Sequence, residues 1–204
     1  MVRKLVKIKI CGLSRSCDID AANAAKPDYI GFVFAKSQRK VTPDQAFTLR
    51  QSLTQGIIPV GVFVNESINT VLSMVTSGII DVIQLHGDEN EAYIQTLRTK
   101  TTAPIIKAVP VLKAGDAQSQ MALPADFLLL DQKGGGSGRP FDWTLIGELE
   151  RPFFLAGGLD IDNITTAVQS TSPFAVDISS GVETDGLKDF DKIQAIVRKV
   201  RKAI

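Results

Sequence analysis

The fold this sequence predicts is α/β, a single-domain (β/α)8 TIM barrel, and three observations predict it. Short runs rich in β-branched and aromatic residues recur about every 20 to 30 residues. Amphipathic segments with helix-start signals lie between them. Each run ends in polar or glycine-rich residues, as strands of an alternating β/α chain do where they meet their loops. Eight such units favour closure into a barrel over an open, doubly wound sheet.

The runs read as strands in order: "VKIKICG", "YIGFVF", "IPVGVFV", "DVIQLHG", "PIIKAV", "FLLLD", "FFLAGG" and "AVDISSG". Each is short and apolar enough to be buried in a parallel sheet, which two covered faces require. Helix starts are signalled by Thr42-Pro43, by Asn65-Glu66-Ser67, by Asp88-Glu89 and by Asp160 ahead of "IDNITTAV", because short polar side chains accept from the first free backbone N–H groups. The last segment, "KDFDKIQAIVRKVRKAI", spaces Phe190, Ile193, Ile196, Val197 and Val200 along one helical face. No linker, low-complexity tract or charge block interrupts the rhythm, so residues 1–204 are expected to form one domain.

Composition narrows the function classes. Of 204 residues 44% are apolar, and 23 Lys plus Arg nearly balance 22 Asp plus Glu. No broad basic field is therefore available for nucleic acid or an anionic membrane surface. Lysines interrupt the apolar residues of "MVRKLVKIKICG", so no secretory leader is expected, and no stretch approaches a membrane span. Cys11 and Cys17 have only one histidine, His86, as a possible co-ligand, which fits no metal-site spacing. A reduced, cytoplasmic protein with no metal is the expectation.

In barrels of this kind the active site is built at the C-terminal ends of the strands. Those ends carry Cys11, Arg39, His86, Asp131, Gly157-Gly158 and Ser179-Ser180-Gly181. The small residues after the seventh and eighth strands, "LAGGLD" and "ISSGVE", let backbone N–H groups approach an anion, and these two loops commonly hold a phosphate. Taken singly, either loop is as readily a tight turn. The "GGGSG" stretch, 134–138, reads equally as a lid or as a surface loop.

Cys11 is a reactive-thiol candidate by its place, although a buried cysteine is usually inert. Alternation puts Lys7, Lys9 and Cys11 on one face. If that face points inward, Lys9 is a buried ammonium that would favour a thiolate, or else the partner of a buried carboxylate such as Asp177. Asp131 follows four apolar residues, and a carboxyl at the rim of a dry core can serve as a proton donor; an N-cap or loop acid is the other reading. One base and one acid with no nucleotide motif suggest proton transfer. Arg39 could fork onto a carboxylate, and His86 by itself reads more readily as a core histidine.

The motifs "KICG", "GFVFAKSQR", "GVFVN", "VIQLHG", "LLLDQ", "GGSGRPFDW", "LAGGL" and "AVDISSGV" closely resemble those of the phosphoribosylanthranilate isomerase family of tryptophan biosynthesis, in that family's order and over nearly the whole chain. Gln38 departs from the pattern, since the family usually has Ser-Pro-Arg there. The resemblance implies an Amadori rearrangement of N-(5-phosphoribosyl)anthranilate to 1-(2-carboxyphenylamino)-1-deoxyribulose 5-phosphate, with no cofactor. It implies Asp131 as general acid, Cys11 as general base and Arg39 at the anthranilate moiety. Gly157, Gly158, Ser180 and Gly181 would hold the phosphate, and His86 and Asp177 would line the same cavity.

The competing readings are weaker. The histidine-pathway aminoaldose isomerase runs the same chemistry but places an aspartate where Cys11 stands. Indoleglycerol-phosphate synthase needs a catalytic lysine, for which Lys107 is a counterpart, but its glutamates have no evident match. A catalytically dead phosphate-binding barrel would not need both Cys11 and Asp131. The expected partner is a small phosphorylated substrate, and polar outer helix faces favour a monomer over a homodimer.

Overall fold

The structure, a computed structural model, describes residues 5–132 and 141–202. Eight strands, β1 (Lys7–Cys11), β2 (Tyr29–Val33), β3 (Ile58–Phe63), β4 (Val82–Leu85), β5 (Ile105–Pro110), β6 (Phe127–Asp131), β7 (Phe153–Leu155) and β8 (Ala175–Ile178), pair in parallel in chain order, and β8 closes on β1. Seven fall within the predicted runs, and β5 runs one residue past "PIIKAV" to Pro110. The stretch 134–138 lies outside the described residues.

Among the described residues six α-helices cover the barrel: α1 (Ser16–Ala25), α2 (Pro43–Gln51), α3 (Ile68–Thr76), α4 (Glu91–Arg98), α5 (Ile164–Thr171) and α6 (Phe190–Lys202). Thr42 caps α2 with Pro43 at the first helical position, and Ser67 caps α3, as their side chains predict. Before α4 the cap is Asn90, which accepts from the Tyr93 N–H. Glu89, read as a helix-start signal, turns inward instead. Asp160 accepts from the N–H groups of Asp162 and Asn163 ahead of α5.

Two of the eight expected helices differ. Among the described residues, the β5–β6 and β6–β7 connections carry only 3-10 turns, Gln118–Gln120 and Trp143–Ile146. The first connection has no apolar stripe of helical period. Gly115 adopts φ 92°, and Asp116 ties back onto the N–H groups of Leu112 and Lys113, a local turn that competes with helix. Phe190 is a second correction. It is 52% exposed, whereas Ile193, Ile196, Val197 and Val200 are buried, because the first residue of α6 precedes the turn that docks.

Two apolar layers position the site. One lies between the strands and helices. The other fills the barrel floor with Val60, Val82, Ile106, Leu129, Phe154 and Ala175. Phe127 and Phe174 stack at 4.8 Å, and Phe154 meets Tyr29 edge-on at 5.6 Å, so aromatic rings close the N-terminal end. Chemistry is left to the other mouth. Among the described residues no helix is long and apolar enough to cross a membrane.

Candidate active site

The C-terminal mouth opens into a cavity of about 550 Å³. It brings together Cys11, Arg39, His86, Asp131 and Asp177, with Gly157, Gly158 and Ser180 contributed by the loops after β7 and β8.

The residues two positions below the mouth decide the electrostatics. Lys9 and Asp177 stand opposite each other in the β1–β8 register, and Lys9 Nζ donates to Asp177 Oδ2 at 2.8 Å. Lys9 is fully buried. Burial alone would lower its pKa, but Asp177 and Cys11 outweigh it and hold the ammonium above its ordinary value. Among the described residues Asp177 keeps one buried oxygen, Oδ1, without a partner. Lys9 is thus both things considered for it, an inward cation and the partner of Asp177.

Cys11 ends β1 and is 8% exposed. Burial pushes its thiol pKa up, and the pull of Lys9 in the opposite direction offsets only part of this. The free enzyme therefore holds a thiol, not the thiolate that a neighbouring ammonium suggested. Gly31 pairs with Cys11 across β1 and β2, and a Cβ there would stand 2.7 Å from Sγ. A glycine in mid-strand is what admits the sulfur.

Asp131 ends β6, its Oδ1 accepting from the Gln132 N–H at 2.7 Å. Gly157 lies against it: with φ 82° and a would-be Cβ 2.7 Å from the same oxygen, this glycine makes room for the acid as much as for any anion. His86 is not a core histidine. Its side chain keeps 27% exposure, its Nε2 stands 3.6 Å from Asp131 Oδ2, and Gln84 Nε2 lies 3.0 Å from its Nδ1. It follows directly on the end of β4 at Leu85, which places it in the cavity lining.

Arg39 does fork onto a carboxylate, but of the chain's own. Its Nε and Nη2 donate to the two oxygens of Glu183, both at 2.6 Å. Burial would raise the Glu183 pKa, yet the bonds from Arg39 and Lys188 lower it further, and the net is below the ordinary value. Lys188 also donates to the Ser179 carbonyl and hydroxyl, and Ser179 Oγ donates to the Cys11 carbonyl. Gly12, φ 85°, lets the Arg39 chain cross β1: a Cβ there would meet its Cδ at 2.5 Å.

At the other edge, Gly157 and Gly158 have φ 82° and 64°, a path that lets backbone reach the cavity without a side chain between. Gly181 differs. A Cβ there would collide with the Leu159 carbonyl oxygen, and Gly181 bridges to Asp160, so its small size serves the seam between the two loops. After β8 comes a two-stranded ribbon, β9 (Glu183–Thr184) with β10 (Leu187–Lys188), where a short extra helix is common in this fold.

Lys107 is occupied by structure. Its Nζ bonds to the Gly87 carbonyl at 2.5 Å and to Glu89 at 3.0 Å, while Glu89 accepts from the N–H groups of Asn65 and Gly87. This buried knot ties the ends of β3, β4 and β5 together. The sequence reading assigned nothing to Gln84, Glu183 or Lys188. The signals were present for two of them: Gln84 shares the inward face of β4 two residues before His86, and Glu183 closes the quoted "ISSGVE".

A closed parallel barrel with a thiol and a carboxyl in one cavity at its C-terminal mouth defines an enzyme of acid–base type. The family model described as N-(5'-phosphoribosyl)anthranilate (PRA) isomerase matches residues 8–199. The N-(5'-phosphoribosyl)anthranilate isomerase of Endomicrobium trichonymphae is 47% identical over 199 residues, covering 96% of this chain and 98% of its own. The chain belongs to this isomerase family. Among solved structures, the phosphoribosyl anthranilate isomerase of Thermus thermophilus superposes with a TM-score of 0.88 at 30% identity, over 98% of this chain and 100% of its own. A phosphoribosyl anthranilate isomerase bound to reduced 1-(o-carboxyphenylamino)-1-deoxyribulose 5-phosphate superposes at 0.86 and 33%, over 97% and 99%.

Proposed function

We propose that this chain converts N-(5-phosphoribosyl)anthranilate to 1-(2-carboxyphenylamino)-1-deoxyribulose 5-phosphate, with Asp131 as general acid and Cys11 as general base. The observation that carries the assignment is the placement of these two groups, from β6 and β1, in one cavity whose floor is apolar. Asp131 protonates the furanose ring oxygen, the ring opens to a Schiff base, and Cys11 takes the proton from C2. The resulting enolamine becomes the ketone as C1 takes the proton held by Cys11 and the C2 hydroxyl gives its own to Asp131, so both groups end as they began.

The surrounding residues divide the remaining work. Arg39, held flat by Glu183, faces the anthranilate carboxylate with the guanidinium edge that the fork leaves over. Gly157, Gly158 and Ser180 offer backbone to the phosphate, with Gly181 holding the two loops together. Asp177 keeps Lys9 charged below the thiol and turns its open oxygen to a sugar hydroxyl. The protein works as a monomer in the cytoplasm, a reading that polar helix faces and two unpaired cysteines support; sedimentation at the assay concentration tests the first part.

Turnover of phosphoribosylanthranilate, followed by loss of its fluorescence, tests the activity. Asp131→Asn keeps the volume and removes the proton, so kcat should fall about 10²-fold or more with KM little changed. A change confined to KM would make Asp131 a binding group.

A further inference from the structure

The amide of Gln84 is 1% exposed, and its one side-chain bond, 3.0 Å long, is to His86 Nδ1; its Oε1 has no partner among the described residues. Burying an amide for one bond is costly unless that bond does something. On the far side of the same ring, Nε2 faces Asp131 Oδ2 at 3.6 Å. We propose that Gln84 is a positioning residue that fixes the neutral tautomer of His86, so that its Nε2–H is aimed at the carboxyl of the catalytic acid.

The two sides of the ring agree. A carboxylate only accepts, so the nitrogen facing Asp131 must carry the hydrogen when the acid is ionised. The other nitrogen is then bare and needs a donor, which the Gln84 NH2 supplies. The functional gain follows from the order of events. A general acid enters the reaction with its proton, and His86 stands off at 3.6 Å, too far to take it. When Asp131 gives that proton to the ring oxygen, negative charge appears on the carboxyl, and an N–H already oriented toward it stabilises the charge as it forms. The rival arrangement inverts every role: Asp131 donates to a bare Nε2, Nδ1 carries the hydrogen, and the amide is turned about. That would point the acid's proton at the imidazole, away from the substrate.

This inference rests on the assignment of Asp131 as general acid, but its test does not need turnover. His86 is the only histidine in the chain, so the nitrogen spectrum of protein labelled with 15N-histidine reports one ring. At pH 8, without substrate, the expected spectrum shows Nε2 protonated and Nδ1 bare. Gln84→Glu, which can only accept when ionised, should move the hydrogen to Nδ1; Gln84→Met should leave a mixture. Both should fold, judged by near-ultraviolet circular dichroism. Both should lose about 10-fold or more in kcat with KM nearly kept, a part of the 10² to 10⁴ that general-acid catalysis supplies. A wild-type ring carrying its hydrogen on Nδ1, or doubly protonated, overturns the proposal. So does a Gln84→Met variant that keeps both the wild-type tautomer and the wild-type kcat. Failure of the isomerase assay alone would instead count against the reaction assigned above.

Discussion

Cys11 is the proposed general base, and its surroundings set a pH signature. Because burial raises the thiol above its ordinary value of 9.0, the reactive thiolate is a minority species at neutral pH. The kcat/KM, which reports the free enzyme, should therefore climb with pH through the mildly alkaline range, and Cys11→Ala should abolish the climb along with about 10²-fold or more of the rate. A profile that is flat from pH 7 to pH 9.5 would place the base elsewhere. Glu183 gives the opposite limb, in stability. Its folded pKa is depressed below 4.5, so the stability it contributes is complete above the unfolded value and is lost as pH falls through the lower folded one. Glu183→Gln should then melt below wild type at pH 7, the gap closing below about pH 4. A gap unchanged at pH 3 would show that charge is not its cause.

Among the elements, the loops after β7 and β8 act as one piece. Gly181 packs against the Leu159 carbonyl, so Gly181→Val must push the loops apart whether or not an anion binds. A loss of about 2 kcal/mol or more is expected, which for a chain of this size lowers the melting temperature by about 4 to 8 °C. Affinity for phosphorylated ligands should weaken along with stability, because the displaced loops carry Gly157, Gly158 and Ser180. If only the phosphorylated ligand weakened and the melting temperature held, Gly181 would itself be part of the anion site. The β4 loop is held from below in the same manner. Asn65, at φ 52°, and Gly87 are both pinned by Glu89, and Lys107 joins them to β5, so His86 is carried by an anchored turn.

For the whole molecule, closure of the barrel and polarity of its interior meet at one pair. Lys9 and Asp177 face each other across β1 and β8, the strands that complete the ring. Removing one charge leaves the other buried and alone, which costs about 3 to 5 kcal/mol. Lys9→Met should destabilise by that order in urea unfolding, and Lys9→Met with Asp177→Leu should recover much of it, while activity stays lost. If the single variant were as stable as wild type, the pair would be solvated in solution and the dry floor beneath the cavity would not extend to it.

The periodic apolar runs determined the eight strands, and capping residues such as Thr42 and Ser67 determined where helices begin, because both depend on spacing and side-chain chemistry within a few residues. Cys11 and Asp131 were legible as candidates for one cavity, which they do line, for a related reason: active sites of barrels lie at strand ends, and each residue is a reactive type at such an end. The 3-10 turn after β5 was decided by Gly115 and Asp116 at close range, a competition between turn and helix that periodicity does not weigh. Only the tertiary structure decided partners. That Arg39 lies on Glu183, that Glu89 turns inward to Lys107, and that Gln84 meets His86 beside Asp131 are contacts between strands and loops distant along the chain or within a turn's reach of it. Their energies depend on distance and burial, quantities that exist only once the barrel has closed.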